Sequence, residues 1–167
     1  MLLEEMTTTQ VETALANGCS SVLLPFGALE EHGPHLPLST DTIQAYQVGK
    51  RAAELIPLFV APPIPYGNCR STNGHPGTIS ISTTTLRSLL KDLVRSFYRQ
   101  GMRQMVVLTG HAGGAHRLAL QDAGEELLDE LPELRIAVVT EYELAKDEGR
   151  ALDRKSTRLN SSHVSQS

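Results

Sequence analysis

The sequence has no tryptophan, and aromatic residues make up only 4% of its 167 positions. The core must therefore be built mainly from leucine, valine, isoleucine and alanine. Hydrophobic residues account for 40% of the chain and charged residues for 20%, which is ordinary for a globular protein and excludes a disordered one. A chain of this length is long enough for one domain with a buried core.

Positive charge and long apolar runs are also lacking. A net charge of −4 argues against nucleic acid as the main partner, and no apolar run approaches the roughly 20 residues that span a bilayer. The first ten residues carry acidic but no basic side chains, which excludes a signal peptide. Cys19 and Cys69 lack metal-ligand spacing, and we interpret them as free thiols of a cytoplasmic protein.

Short buried runs alternate with helical periods along the chain. We predict strands at 21–26, 58–61, 77–82, 105–109 and 136–140. We predict helices at 41–55, from a cap at Thr83, Thr84 or Thr85 to Gly101, and from the 110–114 loop to about Leu131. This alternation predicts an α/β fold with a parallel sheet covered on both faces, and a site beyond the carboxyl ends of the strands.

The last residues differ in character from the rest. Residues 154–167 are rich in serine, have no period, and resemble translated linker sequence from fragmentary assemblies. We therefore predict a domain at 1–153, incomplete at its C-terminus, followed by a non-native tail at 154–167. A native disordered tail is the alternative.

The segment from Glu30 to Asp41 contains the strongest chemical signal. In extended backbone Glu30 and His32 project to the same side, and a carboxylate with an imidazole suits zinc, manganese or iron. Asp41 stands at a helix start, where backbone donors can orient it. The alternative is a rigid surface turn with exposed carboxylates and histidines.

Two further clusters follow later strands. His111 lies in a glycine-rich loop that opens a helix, and the loop matches neither a dinucleotide fingerprint nor a P-loop. The alternative role for His111 is a capping residue, whereas His116 is predicted to be packed. Tyr66 and His75, with Gly113, could line a substrate pocket, and the alternative for the first two is a turn-rich connector.

Together these clusters resemble the creatininase family. The pattern is a strand ending in PxGxxExHGPHLPxxxD at 25–41, then PPxPYG and HPGT at 62–67 and 75–78, then GH with glycines at 110–114. The order and spacing cover roughly residues 5–145. The first motif is long and specific, and the other two support it.

The resemblance implies a three-layer α/β/α sandwich with a mostly parallel sheet and two divalent ions, zinc or manganese, with iron as a further option. Glu30 and His111 would hold one ion, His32 the other, and Asp41 would bridge them. The implied activity is hydrolysis of a small cyclic amide or formamide by a homo-oligomer. A related metallopeptidase and a non-catalytic binding domain are the alternatives.

One position departs from creatininase itself. Creatininase places a metal-binding glutamate two residues after the histidine that matches His111. In this sequence that position is Gly113. Other members have glycine there and use a glutamate nearer the C-terminus, and no equivalent is evident before residue 154. We therefore expect this chain to lack one ligand and its general acid/base, to bind one ion well and the second poorly, and to show little activity.

Overall fold

The computed structural model describes residues 1–144, and this part of the chain folds as a parallel sheet flanked by helices. The strands are β1 (Ser21–Phe26), β2 (Phe59–Val60), β3 (Gln104–Thr109) and β4 (Arg135–Thr140). The helices are α1 (Thr8–Ala16), α2 (Thr40–Leu55), α3 (Thr83–Arg99) and α4 (Gly114–Glu130), and a 3-10 turn spans Leu3–Glu5. The strand order is β2-β1-β3-β4 with every pair parallel, so the predicted parallel sheet is confirmed.

Successive side chains of β1 point into two different cores, because strand residues alternate between the faces of a sheet. Val22 and Leu24 belong to a large apolar cluster that includes residues of α3 and α4, whereas Leu23 packs in a smaller cluster with Ala45 of α2. Helices therefore cover both faces, giving the three layers of an α/β/α sandwich.

Local details differ from the predictions at three places. The predicted strand at 77–82 is wrong: Ile79 and Ser80 form only isolated bridges. Helix α3 is capped by Ser82, one residue before the predicted threonines. The hydroxyl of Ser82 accepts a hydrogen bond from the backbone N–H of Thr85. Helix α1 was not predicted, because its threonines are poor helix formers and none of its side chains is fully buried.

Two predictions concern parts of the chain beyond the sheet. The predicted tail at 154–167 lies outside the described residues. Within residues 1–144, no helix is long and apolar enough to cross a membrane.

Candidate metal centre

Four side chains converge at the carboxyl edge of the sheet. Glu30 follows β1, Asp41 lies in the first turn of α2, and His111 follows β3. The Nδ1 atom of His111 is 2.7 Å from Oε1 of Glu30 and 3.0 Å from Oδ2 of Asp41. The Nε2 atom of His32 is 2.9 Å from the other carboxylate oxygen of Asp41. The structure thus brings the four predicted ligands together, with Asp41 between the two histidines.

Close backbone packing places Asp41 above the strands. Gly27 follows β1, and a Cβ added to it would lie 2.2 Å from Oγ1 of Thr42. Gly110 follows β3, and a Cβ added there would lie 2.1 Å from the backbone oxygen of Asp41. Because neither glycine has a side chain, the start of α2 can approach the ends of both strands.

One ring nitrogen of each histidine is hydrogen-bonded to a backbone carbonyl, and the other ring nitrogen faces Asp41. Nε2 of His111 donates to the carbonyl of Asn68 at 3.0 Å, and Nδ1 of His32 donates to the carbonyl of Glu30 at 3.1 Å. A carbonyl can only accept, so each of these nitrogens carries a proton. In the neutral ring the other nitrogen then presents a lone pair toward Asp41, which is the arrangement of a metal-ligating histidine.

Burial and charge act in opposite directions on these groups. Burial alone lowers the pKa of His111, but its hydrogen bonds to Asp41 and Asn68 and the charges of Glu30 and Asp41 outweigh burial, so the pKa is raised. Burial alone raises the pKa of Asp41, but the hydrogen bond to His111 and the charges of both histidines lower it overall. In the metal-free protein the two histidines therefore hold a proton more readily than a free imidazole does, and Asp41 stays ionised beside them.

The donor set fits a divalent metal ion. Glu30 and Asp41 are only 8% and 5% exposed, so two carboxylates are buried side by side. Such a pair needs a cation or protonated partners. Without a proton on Nδ1, His111 would face two carboxylate oxygens with a lone pair, and a metal ion removes that repulsion. Glu30, His32 and Asp41 also have ligand atoms within 4.8 Å of one another.

Three groups that were not predicted as site residues surround these ligands. The thiol of Cys69 lies within 4.8 Å of ligand atoms of both Glu30 and His111, and the hydroxyl of Thr72 donates to Oε2 of Glu30 at 2.7 Å. Glu141 follows β4 directly, and one of its carboxylate oxygens is buried without a hydrogen-bond partner. Burial, and then the charge of Asp41, raise the pKa of Glu141. Its position at a strand end was the only sequence signal.

The three predicted pocket residues differ in their relation to the ligands. Tyr66 and His75 are exposed, and among the described residues neither side chain makes a hydrogen bond or ion pair with the four ligands. Gly113 lines an open cleft of about 500 Å³ with Asn68 and Arg70. A Cβ at position 113 would lie 2.5 Å from Nε2 of His111, so this position accommodates glycine best. The substrate-binding role of all three residues stays a prediction.

His116 is fully buried and packed, as predicted. Its ring meets that of His111 edge-on at 4.8 Å. The backbone N–H of Asn68 donates to Nδ1 at 3.2 Å, and Nε2 lies 3.2 Å from the hydroxyl of Thr109. Burial, and then the charge of His111, lower the pKa of His116 to about 3. The ring is therefore neutral in the folded protein and supports the site through packing.

We expect His116→Gln to weaken the acid sensitivity of the metal-free protein. The folded pKa of about 3 lies below the ordinary 6.5, so the unfolded chain binds the proton first and stability falls as pH drops below 6.5. Between pH 7 and pH 5 wild type should lose about 2 kcal/mol more than the variant. Urea unfolding with chelator at both pH values measures the difference. Exposed His35→Gln is the control, and equal losses in wild type and His116→Gln would contradict the assignment.

The fold and this cluster define an α/β domain with a candidate divalent-metal centre at the carboxyl edge of its parallel sheet. The sequence model of the family described as "Creatininase: Creatinine amidohydrolase" matches residues 4–166. The chain therefore belongs to the creatininase family, as the motifs predicted.

Two relatives show how far the family diverges. The chain is 36% identical to the creatinine amidohydrolase of Pseudomonas putida over 112 residues, which is 64% of this chain and 43% of that protein. It is 41% identical to the mycofactocin precursor peptide peptidase of Mycolicibacterium smegmatis over 104 residues, 59% of this chain and 42% of that protein. The matched part thus spans less than half the length of either relative.

Solved structures share the fold. A manganese form of creatininase matches with a TM-score of 0.82 and 29% identity, over 87% of this chain and 60% of that one. A zinc–zinc form of a creatininase mutant gives a TM-score of 0.80 and 28% identity, over 87% and 59%. Divalent metal ions are therefore the cofactors that this fold holds in its relatives.

Proposed function

We propose that this chain provides the metal centre of a metal-dependent amidohydrolase that cleaves a C–N bond outside peptides, in a small cyclic amide or formamide. The observation that carries the proposal is the position of Asp41, whose two carboxylate oxygens face His111 and His32 separately. One carboxylate that serves two histidines is suited to bridge two cations. Glu30 supplies a second carboxylate next to His111, with its Oε1 atom 2.7 Å from Nδ1 of His111.

The chain's own residues hold and orient the reacting groups. Glu30 and His111 would hold one divalent ion and His32 the other, with Asp41 shared; zinc and manganese are the metals we propose. Such ions supply a water of lowered pKa and polarise a carbonyl oxygen. The carbonyls of Asn68 and Glu30 fix the two imidazole rings, so the ligands need little rearrangement. The open cleft lined by Gly113 and Arg70 lies beside the ring of His111, and we propose it as the entry route for a small substrate.

A peptidase activity is the second candidate. Its support is the 41% identity to a mycofactocin precursor peptide peptidase, which exceeds the 36% identity to creatinine amidohydrolase. Both reactions break an amide C–N bond by water, so the metal centre alone suits either. The width of the cleft around the ligands would decide between a small ring and an extended peptide.

Metal titration and a substrate panel test the proposal. We expect the metal-free protein to bind zinc or manganese with one tight and one weaker site, and any turnover to disappear with chelator and return with metal. Calorimetry and metal analysis give the stoichiometry. Creatinine, a lactam, a formamide and a linear peptide distinguish the two activities. A protein that binds neither metal under these conditions would contradict the proposed centre.

Partners and location follow from the same proposal. We propose a cytoplasmic homo-oligomer that takes a small-molecule substrate and binds neither nucleic acid nor membranes. Light scattering of the purified protein at several concentrations would measure the oligomeric state.

A further inference from the structure

The segment from Asn68 to Thr72 lies against two of the four predicted ligands, Glu30 and His111, and makes a hydrogen bond to each. The carbonyl of Asn68 accepts from His111, and the hydroxyl of Thr72 donates to Glu30. Between them stands Cys69, fully buried, with its sulfur within 4.8 Å of ligand atoms of both Glu30 and His111. A thiol, a carboxylate and an imidazole nitrogen therefore face one small volume.

Hydrogen bonds to residues outside the ligand set hold this segment in place. The N–H of Cys69 donates to the hydroxyl of Ser80 at 2.9 Å, and the N–H of Asn68 donates to His116 at 3.2 Å. The side-chain amide of Asn68 also donates to the carbonyl of Ile81 at 2.8 Å. Cys69 is thus held next to Glu30 and His111 by contacts that do not involve a metal, which lowers the entropy cost of recruiting its sulfur as a ligand.

Resting on the proposed function, we propose that Cys69 is a third protein ligand, with Glu30 and His111, of the metal ion bound on that side of the centre. On binding, the thiol releases its proton to solvent as the sulfur–metal bond forms. A sulfur, nitrogen and oxygen set suits Zn²⁺ and Co²⁺, whereas Mn²⁺ favours oxygen ligands. The site should therefore select zinc over manganese more strongly than a centre without the thiol.

Cobalt spectroscopy tests the thiolate directly. The chain has only two cysteines, so Cys19→Ser leaves Cys69 as its single thiol. Metal-free wild type and Cys19→Ser are titrated with Co²⁺, and bound cobalt is measured by metal analysis. We expect both to show the near-ultraviolet charge-transfer band of a cobalt–thiolate bond. Cys69→Ser should bind cobalt without that band and lose roughly 10–100-fold of its zinc-over-manganese preference, by analogy with other weakened metal sites.

The outcomes separate this inference from the proposed function. Bound cobalt without a charge-transfer band in Cys19→Ser would overturn the role of Cys69 and leave the metal centre intact. A wild-type chain that binds no cobalt, zinc or manganese would overturn both. Because the decisive spectrum comes from Cys19→Ser, the test does not depend on whether Cys69→Ser folds, and Cys69→Ala provides a second thiol-free variant.

Discussion

Replacing Asp41 with alanine is expected to remove metal binding at both halves of the centre and to lower any hydrolytic kcat/KM by at least about 10³-fold, or roughly 4 kcal/mol. The reason is geometric, since the two oxygens of Asp41 face His111 at 3.0 Å and His32 at 2.9 Å. No other described carboxylate contacts both rings. Removing this one should affect both metal positions, whereas removing His32 should affect one.

The experiment needs a variant that preserves the shape of the site. Asp41→Asn keeps the size of the side chain and removes its charge, so we expect a folded protein with the same loss of metal. Asp129→Ala is the control, because Asp129 is exposed in the last turn of α4 and makes no hydrogen bond or ion pair with the four ligands among the described residues. Calorimetric titration with zinc and manganese measures affinity, and circular dichroism monitors folding. Full metal content and unchanged turnover in Asp41→Asn would exclude a bridging role.

Gly110→Ala is expected to destabilise the protein by roughly 3 kcal/mol or more, the upper end of what overpacking costs. The added Cβ would meet backbone atoms of Asp41, with its oxygen at 2.1 Å and its carbonyl carbon at 2.8 Å. Backbone cannot rotate away as a flexible side chain can. The start of α2 must therefore move from the end of β3, and Asp41 moves with it, so metal affinity should fall as well.

A neighbouring glycine provides the matched control for this substitution. A Cβ at Gly114 would meet nothing within 4 Å, and the residue opens α4. Gly114→Ala should therefore be neutral or stabilise by up to about 1 kcal/mol through helix propensity. In thermal unfolding, Gly110→Ala should lower the Tm by roughly 6–12 °C. Equal Tm values for the two variants would show that α2 can shift without cost.

The sequence alone determined the class of fold and most of the ligand set. Buried runs at 21–26 and 105–109 correspond to β1 and β3 because residues buried on both faces of a parallel sheet are apolar throughout. Glu30, His32 and Asp41 lie within one motif, so their spacing was visible. His111 could be added because parallel strands end at the same edge of a sheet.

Only the tertiary structure decided which other groups stand beside those ligands. Asn68 precedes His111 by 43 residues, and no local period relates the two segments, so the hydrogen bond to the carbonyl of Asn68 and the nearby sulfur of Cys69 depend on how the loop after β2 folds back. The lack of metal-ligand spacing predicts free thiols at Cys19 and Cys69, but such spacing reveals only ligands that lie on one local element. Cys69 is such a thiol, but it is buried beside the predicted site.

The same reason applies to Glu141 and His116. The charge of Asp41 contributes to the raised pKa of Glu141 because β4 pairs with β3 in a register that places Thr140 beside Thr109, which brings Glu141 to the same edge of the sheet. The low pKa of His116 arises from complete burial next to a second imidazole, and a sequence cannot show how much water a side chain loses. Sequence periodicity determines which residues share an element and a face. Contacts between elements, and the electrostatics that follow from them, are set by packing.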